Sequence, residues 1–243
     1  MNYKQQTIYN YKVSYFTVRI FAFWWLVVQY YLFQNYSQRP GVFYEPTVWL
    51  QKLIFPHFPG TTFFYILLFL CAISLVISLL KPSVIINIVS CLLIAVINLP
   101  LASYHKIQHH NHLLVLGFFL GIFLIPKKLK EDDYKYVQYY YLGLLITYSL
   151  SGFWKWISVA KNIVSKSPDM SWISPNAARI NTFTNYHLID QLPPGFIVKL
   201  YDYPIFWLAI TVIVITIQAF SFLGAFSRKY LTFVMVFLMI FHF

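Results

Sequence analysis

The chain has 243 residues and a formal net charge of +11, and 59% of its residues are hydrophobic, 21% aromatic and only 10% charged. Soluble domains average about 25% charged residues, and a soluble fold of this length could not bury so much apolar surface. The composition therefore excludes an ordinary soluble protein and predicts an integral membrane protein whose first partner is the lipid bilayer. The positive charges lie in short loops between apolar segments, which is typical of membrane orientation signals and not of nucleic-acid binding.

The apolar segments predict an all-α fold, a polytopic transmembrane bundle of about seven helices in a single domain spanning residues 1–243. A transmembrane helix needs roughly 20 apolar residues. The segment 34–60 contains four prolines and is not expected to form one continuous helix. The long polar stretch 159–203 is expected to be an outward-facing cap. The predicted helices cover residues 13–33, 61–80, 83–99, 112–125, 136–157, 204–226 and 230–243.

The basic residues predict the orientation of the bundle. The short loops on one side carry nine Lys and Arg residues, and the short loops on the other side carry three. Because short cytoplasmic loops are the basic ones, the N-terminus is expected in the cytoplasm and the cap outside, in a bacterial cytoplasmic membrane. All seven histidines then lie on the outer side. The nine cytoplasmic residues are Lys4, Lys12, Lys81, Lys127, Lys128, Lys130, Lys135, Arg228 and Lys229.

The segment 139–161 combines small, aromatic and basic residues near the end of a predicted helix. Ser151 and Gly152 would let another helix approach closely, and Trp154 and Trp156 suit the lipid–water boundary. Lys155 lies between the two tryptophans, and an ionisable residue in an apolar helix is a candidate functional residue. Two interpretations remain open, a lysine that extends to the headgroups and a general base in a desolvated outer cavity.

A cluster of histidines precedes the fourth predicted helix. The pattern His105-x-x-x-His109-His110 is similar to one histidine box of the membrane di-iron desaturases and hydroxylases. Those enzymes use several boxes, and this chain has no second one, so we expect no bound metal and favour a hydrated loop. Cys71 and Cys91 both lie in apolar segments and are expected to be small hydrophobic residues without a disulfide.

Several short motifs resemble the membrane domain of vitamin K-dependent γ-carboxylase and its bacterial relatives, the HTTM-domain proteins. Asn111-His112 opens an apolar helix, and Tyr148-x-x-Ser151-Gly152-x-x-Lys155 closes the next one. The resemblance implies that Lys155 is the catalytic base and that His112 assists it. Further echoes are Arg19, Gly41-Val42-Phe43 and Phe241-His242. The candidate ligand-binding residues on the same side are His105, His109, His110, Asn111, Trp154, Trp156 and His242.

Two classes of function follow from these patterns. The first is a non-catalytic or ligand-binding subunit of a membrane assembly, which would use aromatic helix faces and the pair Gly117 and Gly121 to pack against partner subunits. The second is a membrane enzyme acting on a quinol- or lipid-like substrate with Lys155 as general base. The chain lacks the large lumenal domain of the carboxylase, so glutamate carboxylation is not expected. The sequence indicates no particular cofactor.

Overall fold

The computed structural model describes residues 2–103, 109–166, 172–174, 176–177, 179–180, 183 and 192–242, without the side chains at 109–110 and 238–242. This part of the chain is helical and contains no β-strand, which confirms the predicted all-α class. The chain divides into two compact units, Met1–Tyr140 and Tyr141–Phe243. The α-helices are α1 Tyr3–Ser37, α2 Trp49–Ile54, α3 Thr61–Leu80, α4 Val84–Ala102, α5 His109–Leu120, α6 Tyr134–Val164, α7 Gly195–Leu200, α8 Pro204–Ala219 and α9 Arg228–His242.

Helix α1 begins ten residues before the predicted start at residue 13. Asn2 caps it in a capping box, in which its side chain accepts a hydrogen bond from the backbone of Gln5 and the Gln5 side chain accepts one from the backbone of Asn2. This reciprocal pair satisfies two backbone donors that a helix start leaves free, so the polar N-terminal residues are helical. At 1.5 Å per residue, the 35 residues of α1 extend about 52 Å, well beyond a hydrocarbon core of about 30 Å.

Helices α3 and α4 form a hairpin across a three-residue connection. The bounds of α3 agree with the prediction, and Ser83 caps α4 by accepting a hydrogen bond from the backbone of Ile86. The predicted end of α4 at residue 99 is wrong, because the helix continues through Pro100 to Ala102. Around the N-terminus of α3, the ring of Phe33 stacks between Phe64 and Phe58, with centroid distances of 4.1 and 5.0 Å.

Helix α5 and the turn after it differ from the predicted helix 112–125. The helix ends at Leu120, and residues 121–126 form turns that lead to residues 127–135, which we call the charged connector. Both Gly117 and Gly121 are buried within the first unit. A Cβ atom on Gly121 would lie 3.3 Å from the hydroxyl oxygen of Tyr11 and 3.5 Å from the ring of Tyr140. The glycine pair therefore serves packing inside the chain, which corrects the expectation that it faces a partner subunit.

In the second unit, the part of α6 after Tyr140 carries Lys155, and α8 carries its partner Gln218. Helix α6 extends to Val164, seven residues beyond the predicted end, so the beginning of the predicted cap 159–203 is helical. The predicted helix 204–226 is α-helical only to Ala219 and continues as a 3-10 helix, Ser221–Ala225. Residues 167–171, 175, 178, 181–182 and 184–191 of the predicted cap lie outside the described residues.

Three helices, α1, α3 and α4, are long and apolar enough to cross a membrane by length and composition. Residues 111–120 of α5 and helix α8 are shorter apolar helices. These helices are what a membrane protein requires, in agreement with the composition of the chain. They coincide with the first three predicted spans.

Candidate functional site

Lys155 lies inside α6, nine residues before its end, and its amine is held by a second helix. Its Nζ donates a hydrogen bond to Oε1 of Gln218 in α8, at 2.7 Å. Nζ also lies 5.1 Å from the centre of the Trp172 ring. We call Lys155, Gln218 and Trp172 the lysine centre. Gln218 is 4% exposed and Lys155 is half-buried. The hydrogen bond therefore holds the Lys155 amine in place while part of the lysine side chain stays accessible.

Gly152 allows α6 and α8 to approach closely enough for this hydrogen bond. It lies one turn before Lys155, and a Cβ atom there would overlap the backbone nitrogen and Cα of Ala219. Only a residue without a side chain permits such an approach, which is typical of close helix packing in membranes. The sequence prediction that this glycine admits another backbone is confirmed.

A pair of serines fixes the same crossing one turn before Gly152 in α6. The Ser149 hydroxyl lies 3.0 Å from the Ser221 hydroxyl and accepts a hydrogen bond from the backbone of Phe222, also at 3.0 Å. Both serines are fully buried. Ser149, Gly152 and Lys155 thus occupy one face of α6, at a spacing of three residues that keeps them on the same side. The serines set the position of the lysine centre through the backbone.

The described partners of the Lys155 amine are an amide and an indole ring. In the described part of the chain, no carboxylate lies within 4 Å of the Lys155 amine. Gln218 occupies one of the three N–H groups of an ammonium, and the face of an indole attracts a cation. The free donors suit a ligand that offers a hydroxyl, carbonyl or acidic oxygen. Gln218 was not among the predicted site residues, although it is the only amide in the apolar segment 204–226.

The other predicted catalytic residue, His112, lies in the first unit near the start of α5. Its side chain is exposed. The neighbouring Asn111 is 1% exposed, and its amide accepts a hydrogen bond from Trp25 at 2.7 Å and donates one to Asn98 at 2.8 Å. Asn111 therefore links three helices, α1, α4 and α5. Its amide is engaged in this contact and is not displayed to an external ligand.

The remaining candidates are distributed as follows. Trp154 is 71% exposed and Trp156 is half-buried, as expected for two residues on different sides of one helix. His105 lies outside the described residues, as do the side chains of His109, His110 and His242. Among the described residues, no group of three His, Cys, Asp or Glu side chains could hold a metal ion. The side chains of the histidine box are not described, so the expectation that the protein binds no metal stays a prediction.

A second polar cluster, around Arg19, lies in the interior of the first unit. Arg19 is 5% exposed; its Nε donates to the hydroxyl of Ser78 at 2.6 Å and its Nη2 to Oδ1 of Asn87 at 2.8 Å. Tyr15 donates to the same Asn87 oxygen at 2.8 Å, and its ring lies 3.2 Å from the guanidinium carbon. Arg19 is thus hydrogen-bonded inside the first unit and joins α1 to α3 and α4. In the sequence, this cluster corresponds to Ser78 near the end of one apolar segment and Asn87 near the start of the next.

Comparison of the chain with protein-family models, with curated proteins and with solved structures gives no match. The resemblance to the γ-carboxylase membrane domain therefore stays a prediction based on short motifs.

Proposed function

We propose that this chain is a multi-pass integral membrane protein with seven spans, a cytoplasmic N-terminus and the segment 159–203 outside, in a bacterial cytoplasmic membrane. The exposed side of α1 supports the membrane location. Ile20, Trp24 and Tyr31 lie along one stripe and are 63%, 63% and 60% exposed, whereas the only charged residue in the middle of this helix, Arg19, faces the interior. Contact of this apolar stripe with water would be unfavourable. In a membrane, lipid tails or other membrane subunits would cover it.

The orientation has a direct test in a variant without Cys71 and Cys91. A cysteine introduced at Ser165, exposed at the end of α6, should react with an impermeant maleimide added outside the cells. A cysteine at Lys128 in the charged connector should react only after the membrane is permeabilised. The reverse pattern would contradict the proposed orientation and place the lysine centre near the cytoplasmic side.

Within this protein, we infer that the lysine centre binds the oxygen-bearing headgroup of a quinol- or lipid-like ligand, in a non-catalytic subunit of a membrane assembly. The observation that carries this proposal is the 2.7 Å hydrogen bond from Lys155 to Gln218. An amide holds the amine without neutralising it, which leaves donors available for a ligand. His112 is not part of the proposed site, because its side chain is exposed in the other unit.

Identification of the ligand starts from what the protein retains on purification. Wild-type protein, Lys155→Gln and Trp154→Phe would be purified in mild detergent, and their lipophilic contents would be extracted and compared by mass spectrometry. A quinone or lipid present in wild type and in Trp154→Phe, but depleted in Lys155→Gln, is the expected result. Equal contents in all three proteins would contradict a ligand site at Lys155.

The enzyme alternative uses the same residues. Oε1 of Gln218 can accept a hydrogen bond from a neutral amine as well as from an ammonium, so Lys155 fits the role of a general base towards a quinol hydroxyl. A guanidinium stays protonated at any working pH. Lys155→Arg separates the two proposals, because it would preserve ligand retention in a binding subunit and abolish turnover in an enzyme.

A further inference from the structure

The charged connector and the start of α6 border an open groove in the first unit. Its volume is about 490 Å³. The apolar wall comes from the end of α5 and the turns that follow it, including Leu120, Phe123 and Leu129, and Tyr136 and Tyr139 of α6 also line the groove. Phe123 is 77% exposed, and each of the two tyrosines is 61% exposed. These side chains present a large apolar and aromatic surface beside a charged loop.

The acidic residues of the connector are already engaged by other groups. The carboxylate of Glu131 accepts hydrogen bonds from the side chains of Asn2 and Gln5. Asp132 lies 3.8 Å from the amine of Lys4, and Asp133 accepts a hydrogen bond from the backbone of Lys130. These contacts tie the connector to the beginning of α1 and leave no carboxylate paired with the neighbouring lysines.

The lysines of the connector are correspondingly available. Lys127 and Lys128 are exposed, and neither forms an ion pair with a carboxylate in the described part of the chain. Lys128 lines the groove itself. A cation and two tyrosines therefore line the same apolar groove. Tyrosines are favoured at the level of the lipid headgroups, and basic pockets on the cytoplasmic side of membrane helices bind anionic headgroups.

We propose that this groove binds one anionic phospholipid of the inner leaflet. An acyl chain lies against Leu120, Phe123 and Leu129, and the phosphate contacts the ammonium of Lys128. Asp133 also lines the groove, but the exposed ammonium groups of Lys127 and Lys128 outnumber its carboxylate and select an anionic headgroup over a zwitterionic one. The exposed apolar wall distinguishes a whole lipid from a free phosphate. This inference rests on the membrane location proposed above and is independent of the lysine centre.

The test uses the full chain in nanodiscs made from equal amounts of phosphatidylcholine and phosphatidylglycerol, with the retained lipids counted by native mass spectrometry. Wild type should retain phosphatidylglycerol over phosphatidylcholine by about fivefold, the preference expected for one lysine at a membrane surface. Lys128→Gln should abolish this preference. The matched control is Lys81→Gln, which removes an exposed lysine from the α3–α4 connection and should leave the preference unchanged.

A further variant tests the apolar wall. A membrane assay separates the proposed lipid groove from the proposed membrane location. Phe123→Ser changes an exposed side chain and should reduce retention of phosphatidylglycerol; if it does not, the lipid is held by its headgroup alone and the groove proposal is wrong. Equal retention of the two lipids by wild type, or an equal loss in Lys81→Gln, would also overturn the inference. Carbonate-resistant membrane association of wild type should persist in all these cases, and its absence would instead overturn the membrane proposal itself.

Discussion

Nη2 of Arg19 lies 2.8 Å from Oδ1 of Asn87, which connects the middle of α1 to the first turn of α4. The same guanidinium reaches Ser78 in the last turn of α3, so one side chain joins the long first helix to both arms of the hairpin. Its described partners are neutral oxygens, a backbone carbonyl and aromatic rings. The fork of donors in arginine matches this arrangement, and the single ammonium of lysine does not.

Replacing Arg19 by Lys should therefore destabilise the protein although the charge is kept. Polar contacts between membrane helices contribute about 0.6 kcal/mol on average and up to about 1.7 kcal/mol. Loss of two of the three hydrogen bonds should lower the free energy of unfolding by about 1–3 kcal/mol, measured by titration with a denaturing detergent. Arg39→Lys, at an exposed position, is the control and should have little effect. Equal stability of the two variants would contradict the connecting role of Arg19.

The close crossing of α6 and α8 predicts a strong effect for a single methyl group. Gly152→Ala would place Cβ within the backbone of Ala219, so the helices must separate. Overpacking of this kind costs about 1–3 kcal/mol and should also lengthen the hydrogen bond between Lys155 and Gln218. Gly60→Ala is the control, since nothing lies within 4 Å of its added Cβ. The measurement is the thermal unfolding midpoint in detergent, and the crossing is wrong if both variants behave as wild type.

We expect a substitution of Gly121 to change the stability of the protein without changing its assembly. A leucine there would meet the side chains of Tyr11 and Tyr140 in the same unit. We expect Gly121→Leu to lower the unfolding midpoint while the mass of the complex in detergent, measured by light scattering, stays that of wild type. Gly195→Leu, at a position with open space around it, serves as control. A smaller complex for Gly121→Leu with unchanged stability would restore the partner-facing role.

Because Glu131 contacts the N-terminus, we expect the hydrogen-exchange protection of the first turns of α1 to be weaker in acid. Hydrogen bonds from Asn2 and Gln5, with a smaller effect of Lys4, hold the pKa of Glu131 below its usual value of 4.5. A carboxyl whose pKa is lowered on folding contributes stability above its unfolded pKa, and this stability is lost as the pH falls through the folded pKa. Hydrogen-exchange protection factors of the first turns of α1 should therefore decrease as the pH falls below the usual carboxyl pKa of 4.5.

Two variants check the origin of this pH dependence. In Glu131→Gln the protection should be lower at neutral pH and should no longer change in acid. In Asp202→Asn, which alters an exposed carboxylate in the other unit, the dependence should match wild type. If Glu131→Gln keeps the acid-induced loss, another group controls the N-terminal contact.

The sequence predicted features that depend on local patterns. The membrane-like composition, the hairpin of α3 and α4 and the small residue at Gly152 all follow from apolar runs and the spacing of small side chains. The start of α1 was missed because the capping box of Asn2 and Gln5 extends a helix into polar sequence. The partners of Lys155 and Arg19 were missed for a different reason. Gln218 is separated from Lys155 by 63 residues and Asn87 from Arg19 by 68, and only the packing of helices brings these pairs together.

The most direct test of the lysine centre is the affinity of the purified protein for a short-chain ubiquinone, titrated in wild type, Lys155→Gln, Gln218→Leu and the double variant. Loss of a hydrogen bond from a charged donor costs about 1.5–3 kcal/mol, so each single variant should bind about tenfold to a hundredfold more weakly. The double variant should be no weaker than Lys155→Gln, and the control Lys161→Gln should bind as wild type does. Unchanged affinity in both single variants, or no binding by wild type, would contradict the account.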